Sequence, residues 1–266
     1  MTAWLGVDLG GTWLRWGGET PGRLRLENPE PEAVIEALAA RAEGRGVAIS
    51  FAGWLSPDGR RVMQGPNLGW SDVPLVEMAA ARGLRCHLEN DLDARAWGEF
   101  LALGAPADES LVVLNAGSGF ALGLVVEGRL VRGRRRRAGE IGHLVLGPPE
   151  KPCGCGDLGC VEAALGGAMA APGSFDEALY RQRWLALAAP VAAPVITALD
   201  PHHVLGVGGV LENRPELFRD LERSIARLLP RRWFGDFRLQ PSEGESLALL
   251  GVVDLARRAE GLQSDN

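Results

Sequence analysis

Residues 139–162 read GEIGHLVLGPPEKPCGCGDLGCVE and hold three of the chain's four cysteines and one of its four histidines. Cys153, Cys155 and Cys160 lie within eight residues and follow His143. The glycines between them permit tight turns that bring thiolates to about 2.3 Å from one metal ion. Three thiolates and one imidazole fill a tetrahedral shell, so the pattern predicts a closed structural zinc site. The alternative is a loop whose cysteines merely pack or form one disulfide, which an odd number of clustered cysteines disfavours.

The composition is that of an ordinary globular protein: 266 residues, 46% apolar and 23% charged, enough for two modest domains or one large one. The net charge of −6 argues against a nucleic-acid partner, because a phosphate backbone requires a basic surface. No apolar run of transmembrane length and no signal-like leader stand out. We therefore expect a cytoplasmic protein without a membrane partner, where reduced thiols stay available to a metal.

The chain opens with a strand, a glycine turn and a second strand over residues 4–17. Gly10 and Gly11 let the backbone approach a phosphate closely with amide N–H groups facing it, and Thr12 can add a hydroxyl donor. Asp8 is placed to hold a hydrated Mg²⁺ beside such phosphates. A plain β-hairpin can carry the same turn, so these residues alone leave a phosphate loop and a plain hairpin equally open.

The same pattern returns later in the chain, with strands at residues 111–115 and 124–128 around a glycine-rich turn at 117–123. This turn contains Gly117, Ser118 and Gly119. Two such units predict an α/β fold of two duplicated domains around a ligand cleft. The predicted domains are residues 1–108, joined by a C-terminal helix at 246–262, and residues 109–245 with the zinc loop.

Asn90 and Asp91 follow a predicted strand at residues 85–89 and open a predicted helix at 91–103. Asp91 is a good residue for capping that helix. An aspartate at the carboxyl end of a strand can also face the cleft where open α/β sheets bind ligands. Both interpretations stay open on these residues alone.

The remaining patterns predict further elements along the chain. Helices are expected at about 32–41, 73–82, 161–169, 175–187, 194–199 and 246–259. A further helix is expected to begin at Pro215, with one apolar face formed by Leu217, Leu221, Ile225 and Leu228. Further strands are expected at 46–51, 61–64 and 233–239.

Several of these stretches together resemble the ROK family of bacterial sugar kinases and repressors. The resemblance is most specific at GEIGH followed by CGCGDLGCVE, and it extends over most of the chain. It includes the D-x-G-G-T stretch at 8–12, PNLGW at 66–70, Glu-Asn-Asp at 89–91 and the glycines Gly208 and Gly209.

That resemblance implies the two-domain actin-like ATPase fold, related to ribonuclease H, and ATP-dependent phosphorylation of a hexose at its C6 hydroxyl, with glucose as first choice. It implies a structural zinc, Mg²⁺ and ATP as cofactors, and a homo-oligomer, dimer or tetramer. Asp91 would be the catalytic base. The implied sugar-binding residues are Asn67, Asn90, Asp91, Glu140, His143 and Glu162. The implied phosphate- and nucleotide-binding residues are Asp8, Gly10, Gly11, Thr12, Gly117, Ser118, Gly119, Gly208 and Gly209.

The chain departs from the family pattern at several positions. Asp93 stands where asparagine is more usual, and Ser118 replaces a threonine but keeps its hydroxyl. Leu122 replaces a glycine, which lowers the expected nucleotide affinity if backbone approach matters there. Residues 162–206 are fewer than in most members, so part of the large domain's helical material is expected to be missing.

Other functions remain open beside a glucose kinase. The acceptor could be mannose, fructose or an N-acetylated hexosamine, and the donor could be polyphosphate. The arginines at 132 and 134–137 predict a solvated loop, or, as the alternative, a contact to extra phosphates. A repressor of this family would carry a helix-turn-helix ahead of the first glycine loop, which begins within ten residues of the start, so we expect none. A sugar-binding protein without catalysis is the last alternative.

Overall fold

The computed structural model describes residues 3–18, 20–27, 29–166, 177–232, 235, 237–242, 244 and 246–264. The chain divides into two compact units. Unit 1 comprises residues 1–105, 132–137 and 244–266, and unit 2 comprises residues 106–131 and 138–243. The arginine-rich segment 132–137 therefore belongs to unit 1, although the chain on both sides of it belongs to unit 2.

Unit 1 contains two sheets and four helices. Its elements are β1 (Trp4–Leu9), β2 (Trp13–Trp16), β3 (Gly22–Arg25), α1 (Pro31–Ala42), β4 (Gly46–Phe51), β5 (Trp54–Leu55), β6 (Val62–Gly65), β7 (Trp70–Val73), α2 (Leu75–Ala80), β8 (Cys86–Asn90), α3 (Asp91–Ala102) and α8 (Leu247–Ser264). The larger sheet has the strand order β3-β2-β1-β4-β8, and the smaller has the order β5-β6-β7. In the larger sheet β1, β2 and β3 are antiparallel, whereas β4 and β8 run parallel to β1.

Unit 2 contains one five-stranded sheet with the order β11-β10-β9-β12-β13. Its elements are β9 (Leu111–Ala116), β10 (Phe120–Val126), β11 (Arg129–Leu130), a 3₁₀ turn (Ile141–His143), α4 (Val161–Leu165), α5 (Glu177–Leu199), β12 (His203–Val207), α6 (Gly209–Glu212), α7 (Pro215–Leu228) and β13 (Gln240–Pro241). The strands β9, β10 and β11 are antiparallel, and β12 and β13 run parallel to β9.

The two large sheets have the same strand order and the same strand directions. Each begins with an antiparallel strand–glycine turn–strand unit and continues with two parallel strands on the other side of its first strand. The predicted duplication of an α/β unit is thus present in the sheet topology. The central strands are buried on both faces, as expected for the parallel part of a sheet covered by helices; β4 is buried at all six positions.

Helices α3 and α8 pack closely in unit 1 because each has a glycine at the contact. A Cβ atom added at Gly98 would lie 1.8 Å from the carbonyl oxygen of Leu247, and one added at Gly251 would lie 2.0 Å from that of Ala94. The predicted C-terminal helix therefore docks onto the N-terminal unit through backbone-to-backbone contact that only glycine allows.

The core of unit 2 centres on the fully buried Trp184 of α5. Its ring meets Phe120 of β10 edge-on, with centroids 6.0 Å apart, and its indole N–H donates to the carbonyl of Leu165 at 3.1 Å. Leu122 is also buried in this core. Its side chain therefore packs inside the unit and adds no bulk to the glycine turn, which ends at Gly119 because β10 already begins at Phe120.

Helix α5 differs from the prediction of two helices at 175–187 and 194–199. It runs unbroken over 23 residues with Pro190 and Pro194 inside it. Each proline removes one helical hydrogen bond, but the buried face around both, including Ala188, Ala192 and Ile196, keeps the helix against the core. The start of the predicted helix at Phe175 lies outside the described residues.

Among the described residues, one helical stretch, Ala178–Leu199 of α5, is long and apolar enough by length and composition to cross a membrane. A core helix of a globular domain can satisfy the same test. Here the stretch carries Trp184 and several alanines of the unit 2 core, which is the packing of a core helix.

Two smaller predictions are also corrected. Leu228 is 52% exposed, and Leu229 is buried in its place, because α7 ends at Leu228 and the chain turns inward. The described residues of the predicted 233–239 strand are not in a strand; the pairing in this region is made by β13 with β12. Residues 233, 234 and 236 lie outside the described part of the chain.

Candidate functional site

The four residues predicted as metal ligands come together in unit 2. One ligand atom from each of His143, Cys153, Cys155 and Cys160 lies within 4.8 Å of the other three. The Sγ atoms of Cys155 and Cys160 are 3.6 Å apart, and Cys153 Sγ lies 3.6 Å from His143 Nδ1. A tetrahedral zinc with bonds of about 2.3 Å to sulfur separates its ligand atoms by roughly 3.8 Å. The cluster therefore fits a structural zinc, and no disulfide joins these cysteines.

The loop that carries the cysteines is held by short backbone contacts. The N–H of Cys153 donates to the carbonyl of Asp157 at 2.9 Å, and the N–H of Gly147 donates to that of Gly159 at 2.8 Å. Gly156 and Gly159 have φ values of +100° and +75°, which only glycine adopts without strain. These two glycines make the turns that direct the three sulfur atoms to one point.

Two thiols of this cluster, those of Cys153 and Cys160, have raised pKa values. Burial, followed by hydrogen bonding to the neighbouring thiols, raises the pKa of Cys160 to about 12. Burial is also the largest cause of the raised pKa of Cys153. Because zinc binds thiolates, binding must release these protons, which makes metal affinity dependent on pH.

His143 links the cysteine cluster to two carboxylates. Its Nδ1 faces Cys153, while its Nε2 lies 3.5 Å from Glu140 Oε2 and 4.0 Å from Glu162 Oε1. A metal on Nδ1 leaves the proton on Nε2, directed to the side of the two glutamates. One imidazole can therefore serve both as a metal ligand and as a hydrogen-bond donor.

Glu162 joins this group to the second glycine loop. It lies in the first turn of α4, as predicted, and its Oε2 accepts the N–H of Phe120 at 3.0 Å. A Cβ atom at Gly119 would come within 2.8 Å of the same oxygen. The Gly139–His143 segment is equally close to β10, since a Cβ atom at Gly142 would lie 2.0 Å from the carbonyl oxygen of Phe120.

The predicted nucleotide glycines of unit 2 also meet. Gly208 has a φ of +99°, and a Cβ atom there would lie 2.6 Å from the backbone of Ala116. Gly209 N lies 3.7 Å from the Cβ position of Gly117. Ser118, between Gly117 and Gly119, is exposed at the tip of the turn. Exposed backbone from two segments thus forms one surface, as close approach of a phosphate requires.

A cavity of about 480 Å³ lies between α5 and the start of α7. Asn213 belongs to its wall and donates to the carbonyl of Gly209 at 2.7 Å. Three arginines line it, and one of them, Arg214, stacks over the ring of Tyr180. The three are Arg181, Arg214 and Arg219.

In unit 1, Asp8 lies at the carboxyl end of β1 beside the first glycine turn. Arg15, its partner on β2, approaches its Oδ2 to 3.1 Å. Burial raises the pKa of Asp8, and the hydrogen bond and charge of Arg15 offset part of this rise. Its carboxylate is of the oxygen type that Mg²⁺ prefers. The N–H of Gly10 donates to the carbonyl of Trp13 at 3.0 Å and closes the turn.

The first glycine turn contacts the predicted sugar-side loop. A Cβ atom at Gly11 would lie 2.5 Å from Cβ of Asn67, so only glycine fits there. Asn67 itself is exposed. Thr12 is also exposed, and its carbonyl accepts the N–H of Leu26 at 2.8 Å. The structure therefore brings Gly11 and Asn67 together within unit 1.

The predicted helix cap is wrong by one residue. Asn90, not Asp91, caps α3: its Oδ1 accepts the N–H groups of Leu92 and Asp93 at 2.9 and 3.1 Å. Its Nδ2 donates to the carbonyl of Gly53 at 3.2 Å. Asp91 is the first helical residue. Because Asn90 supplies the cap, the Asp91 carboxylate is not required to cap the helix from the N-cap position.

Sequence reasoning missed the buried charges around this pair. Glu89 is completely buried and is bound by Arg132 and Arg136 of the arginine-rich segment. Asp93, which stands where the family pattern more often has asparagine, is buried as well, and burial, followed by the charge of Glu89, raises its pKa to about 8. The run of arginines at 132–137 was the one sequence feature that could have indicated buried charge. Its spacing, however, did not identify Glu89, more than forty residues earlier, as the partner.

Ser50 lies between Asp8 and Glu89 on one face of the sheet. The register pairs it with Asp8 on one side and with Glu89 on the other. Its hydroxyl is buried and has no hydrogen-bond partner among the described residues. A row of polar side chains therefore crosses the sheet from Arg15 to Glu89.

Comparisons with known proteins agree with this architecture. The chain is 33% identical over 177 residues to a glucokinase of Streptomyces coelicolor, a match over 61% of this chain and 56% of that protein. It is 36% identical over 190 residues to an N-acetylmannosamine kinase of Salmonella typhimurium, over 65% of this chain and 64% of that protein. The matched region thus spans less than two thirds of either relative.

Among solved structures, a ROK family glucokinase from Streptomyces griseus, in complex with glucose and AMPPNP, superposes with a TM-score of 0.75. The two are 27% identical, and the alignment covers 96% of this chain and 99% of that one. This confirms the actin-like ATPase fold. The model of the ROK family matches residues 31–172, more than half of the sequence. With the duplicated sheets and the Cys₃His loop, this match shows that the chain belongs to the ROK family.

Proposed function

We propose that the protein is a sugar kinase that transfers the γ-phosphoryl group of ATP to the C6 hydroxyl of a hexose, with glucose as the first candidate. The observation that carries the proposal is the arrangement of Glu140, His143 and Glu162. The imidazole is held on one side by the cysteine cluster and presents its other nitrogen beside two carboxylates.

Such a set suits a sugar, whose hydroxyls both donate and accept hydrogen bonds. Carboxylates accept from two hydroxyls, and the imidazole N–H donates to a third oxygen. Zinc, held by His143 and the three cysteines, supplies no reaction step in this proposal; it fixes the loop and the histidine tautomer. Asn67 and Asn90 are proposed as additional sugar ligands, although Asn90 already uses its amide in the cap and toward Gly53.

The glycine turns are proposed to hold the phosphates. The backbone N–H groups of Gly11, Thr12, Ser118 and Gly119 are proposed to bind phosphate oxygens, while those of Gly10 and Gly117 close the two turns, and Asp8 is proposed to position Mg²⁺. The cavity between α5 and α7 is proposed as the nucleoside subsite, because Asn213 in its wall binds the carbonyl of Gly209. Leu122 does not obstruct this proposal, because its side chain packs in the core.

The reaction requires one proton acceptor, and we assign that role to Asp91. The C6 oxygen forms a bond to the γ-phosphorus while the bond from that phosphorus to the bridging oxygen of ADP breaks. The hydroxyl proton passes to the Asp91 carboxylate. Because the transition state is loose, positioning and charge neutralisation contribute most of the rate.

The identity of the hexose is proposed from the sugars named for the similar proteins. The glucokinase of Streptomyces griseus was solved with glucose and a nucleotide analogue, which supports glucose and ATP. The similarity to N-acetylmannosamine kinases supports an N-acetylated hexosamine as the second candidate. A polyphosphate donor has less support, because Arg132, Arg136 and Arg137 have protein partners. Cytoplasmic location and a homo-oligomeric state are proposed with the function.

A coupled assay of ADP release tests the proposal directly. We expect ATP-dependent turnover with glucose or with N-acetylmannosamine above mannose and fructose, at millimolar Mg²⁺. Replacing ATP by polyphosphate is expected to give little product. Absence of turnover with every hexose, in protein that carries zinc and is folded, would leave a non-catalytic sugar-binding protein as the better account.

A further inference from the structure

Glu89 occupies the position directly before Asn90 and Asp91, at the end of β8. Its side chain has no exposed surface. A buried carboxylate is costly unless it is paired and hydrogen-bonded. Here Arg132 donates from Nε and Nη2 to Oε2, at 3.0 and 2.5 Å, and Arg136 binds Oε1. The same Oε1 accepts the backbone N–H of Asn90 at 3.3 Å.

Arg136 has a backbone conformation that arginine rarely adopts. Its φ is +53°, in the left-handed region that favours glycine. Its guanidinium is mostly buried, lies against the backbone of Gly59 and approaches the carbonyl of Pro57 to 3.4 Å. A strained residue persists where its surroundings hold it, and strained residues cluster at functional sites. The contact with Glu89 is the strongest interaction that Arg136 makes.

The other arginines of the segment differ in their exposure and contacts. Arg137 stacks over the ring of Trp54 at 4.9 Å and donates to the carbonyl of Leu55 at 3.3 Å. Arg134 and Arg135 are exposed. The predicted solvated loop is therefore correct for only two members of the run. The other three attach the segment to β5 and β8 of unit 1.

The charges in this region form one group. From β8 it contains His87 and Glu89, from α3 Asp91 and Asp93, and from the segment 132–137 Arg132 and Arg136. Burial lowers the pKa of His87, which is thus neutral near pH 7. Burial and the charge of Glu89 keep Asp93 protonated at that pH. Arg132 and Arg136 then carry two positive charges against the single negative charge of Glu89, so an ionised Asp91 balances the charge of the group.

We infer that Glu89, Arg132 and Arg136 are positioning residues that hold the Asn90–Asp91 pair in place, and that the two arginines favour the ionised form of the Asp91 carboxylate while Glu89 opposes it. The inference deepens the proposed kinase function and rests on it. A general base must be ionised before it accepts a proton. These three residues do not touch the substrate in this account; they act through the end of β8.

The test combines three variants with an exposed control. Glu89→Gln removes the negative charge and keeps the shape. Arg136→Gly removes a positive charge, and glycine adopts the left-handed φ of this position without strain. The double variant restores the original balance of charge. Arg135→Gln, in the same segment but exposed, is the matched control, and Arg132→Gln is a second arginine variant should Arg136→Gly fail to fold.

The first readout is independent of activity. The carboxyl carbon of Asp91 is titrated by NMR in ¹³C-aspartate-labelled protein, with assignment by Asp91→Asn and Asp93→Asn. Glu89→Gln is expected to lower the titration midpoint of Asp91 by about one unit, since two arginines are then left without Glu89. Arg136→Gly is expected to raise it by a similar amount. The double variant returns it to the wild-type value, and Arg135→Gln leaves it unchanged.

The second readout is the pH profile of kcat at saturating hexose. Its acid limb is expected to move in the same directions, with kcat reduced about tenfold or more and the KM for ATP changed less than twofold. The inference would be overturned if the variants lost thermal stability while the titration midpoint of Asp91 and the acid limb of the kcat profile did not change. That result would show that the ion pair is purely structural. A wild-type protein without kinase activity would refute the proposed function, while the NMR titration still decides whether the cluster controls Asp91.

Discussion

Asp91 is the residue on which the proposed chemistry depends most. Asp91→Asn keeps the size and the helix position but removes the proton acceptor. We expect kcat to fall by on the order of 10²–10⁴, the usual contribution of a general base. Hexose affinity, measured by calorimetry, should fall much less. A variant with near-normal turnover would remove Asp91 from this role.

Asp93 gives a prediction about stability that is separate from activity. Its pKa rises to about 8 in the fold from an ordinary value of 3.8, so the folded state holds a proton that the unfolded state has lost. Stability contributed by this proton is present below about pH 4 and declines as the pH rises to 8. Asp93→Asn removes this dependence, because the amide resembles the protonated carboxyl and does not titrate.

The measurement is urea unfolding of both proteins across this range. At pH 4 the two should differ little, and at pH 8 the Asp93→Asn protein should be more stable by on the order of 1–3 kcal/mol. His87 and the other titrating groups are common to both proteins and cancel in the difference. A variant whose stability relative to wild type does not change with pH would contradict the buried, protonated Asp93.

At the scale of single elements, the cysteine loop carries the metal prediction. Purified protein should contain about one zinc per chain. Cys155→Ser should lose the metal and leave a folded but less heat-stable protein, because the cores of both units form without the loop. Hexose affinity should fall more than ATP affinity, since His143 loses its fixed orientation beside Glu140 and Glu162.

Cys86→Ala is the matched control for this variant. Cys86 lies on β8 of unit 1 and is not a member of the cluster, and burial raises its pKa to about 12, so it should have no part in metal binding. Its zinc content should equal that of the wild type. Full activity in wild-type protein shown to be free of metal would contradict the role given to the loop.

The contact between α3 and α8 supports a second prediction at this scale. A methyl group at residue 251 would lie 2.0 Å from a backbone carbonyl, which no side-chain rotation can relieve. Gly251→Ala should therefore lower the melting temperature by roughly 4–10 °C. Gly261→Ala, on the same helix with nothing within 4 Å, should be neutral or slightly stabilising. Equal melting temperatures for the two variants would argue against this packing.

The helices and strands also show where the periodicity of apolar residues is insufficient to predict secondary structure. The strand at 46–51 is present with the predicted boundaries, because a short apolar run between turn residues has one good solution. Helix α5 was predicted as two pieces because prolines normally end helices, and only tertiary packing decides that these do not. Asn90 was passed over as the cap since both it and Asp91 are good capping residues and the choice depends on where α3 begins.

At the scale of the whole molecule, the repeated strand–glycine–strand pattern was sufficient to predict two similar sheets. The approach of His143 to the three cysteines was also predictable, because the four residues are close in sequence and the cysteines are separated by glycines. The contacts of Glu89 with Arg132 and Arg136 were not, since pairs that distant depend on the complete fold. For the same reason, nothing in the sequence indicated that residues 132–137 group with unit 1.

The central claim is that this chain is a hexose kinase that uses Asp91 as its base. The most direct measurement is NMR of the product formed from ATP and ¹³C-labelled glucose by wild-type and Asp91→Asn protein. We predict phosphorus coupling to C6 in the wild-type product, and a rate at least about a hundredfold lower for the variant. No phosphorylated hexose from the zinc-loaded wild type, tested also with N-acetylmannosamine, or equal rates for the two proteins, would contradict the account.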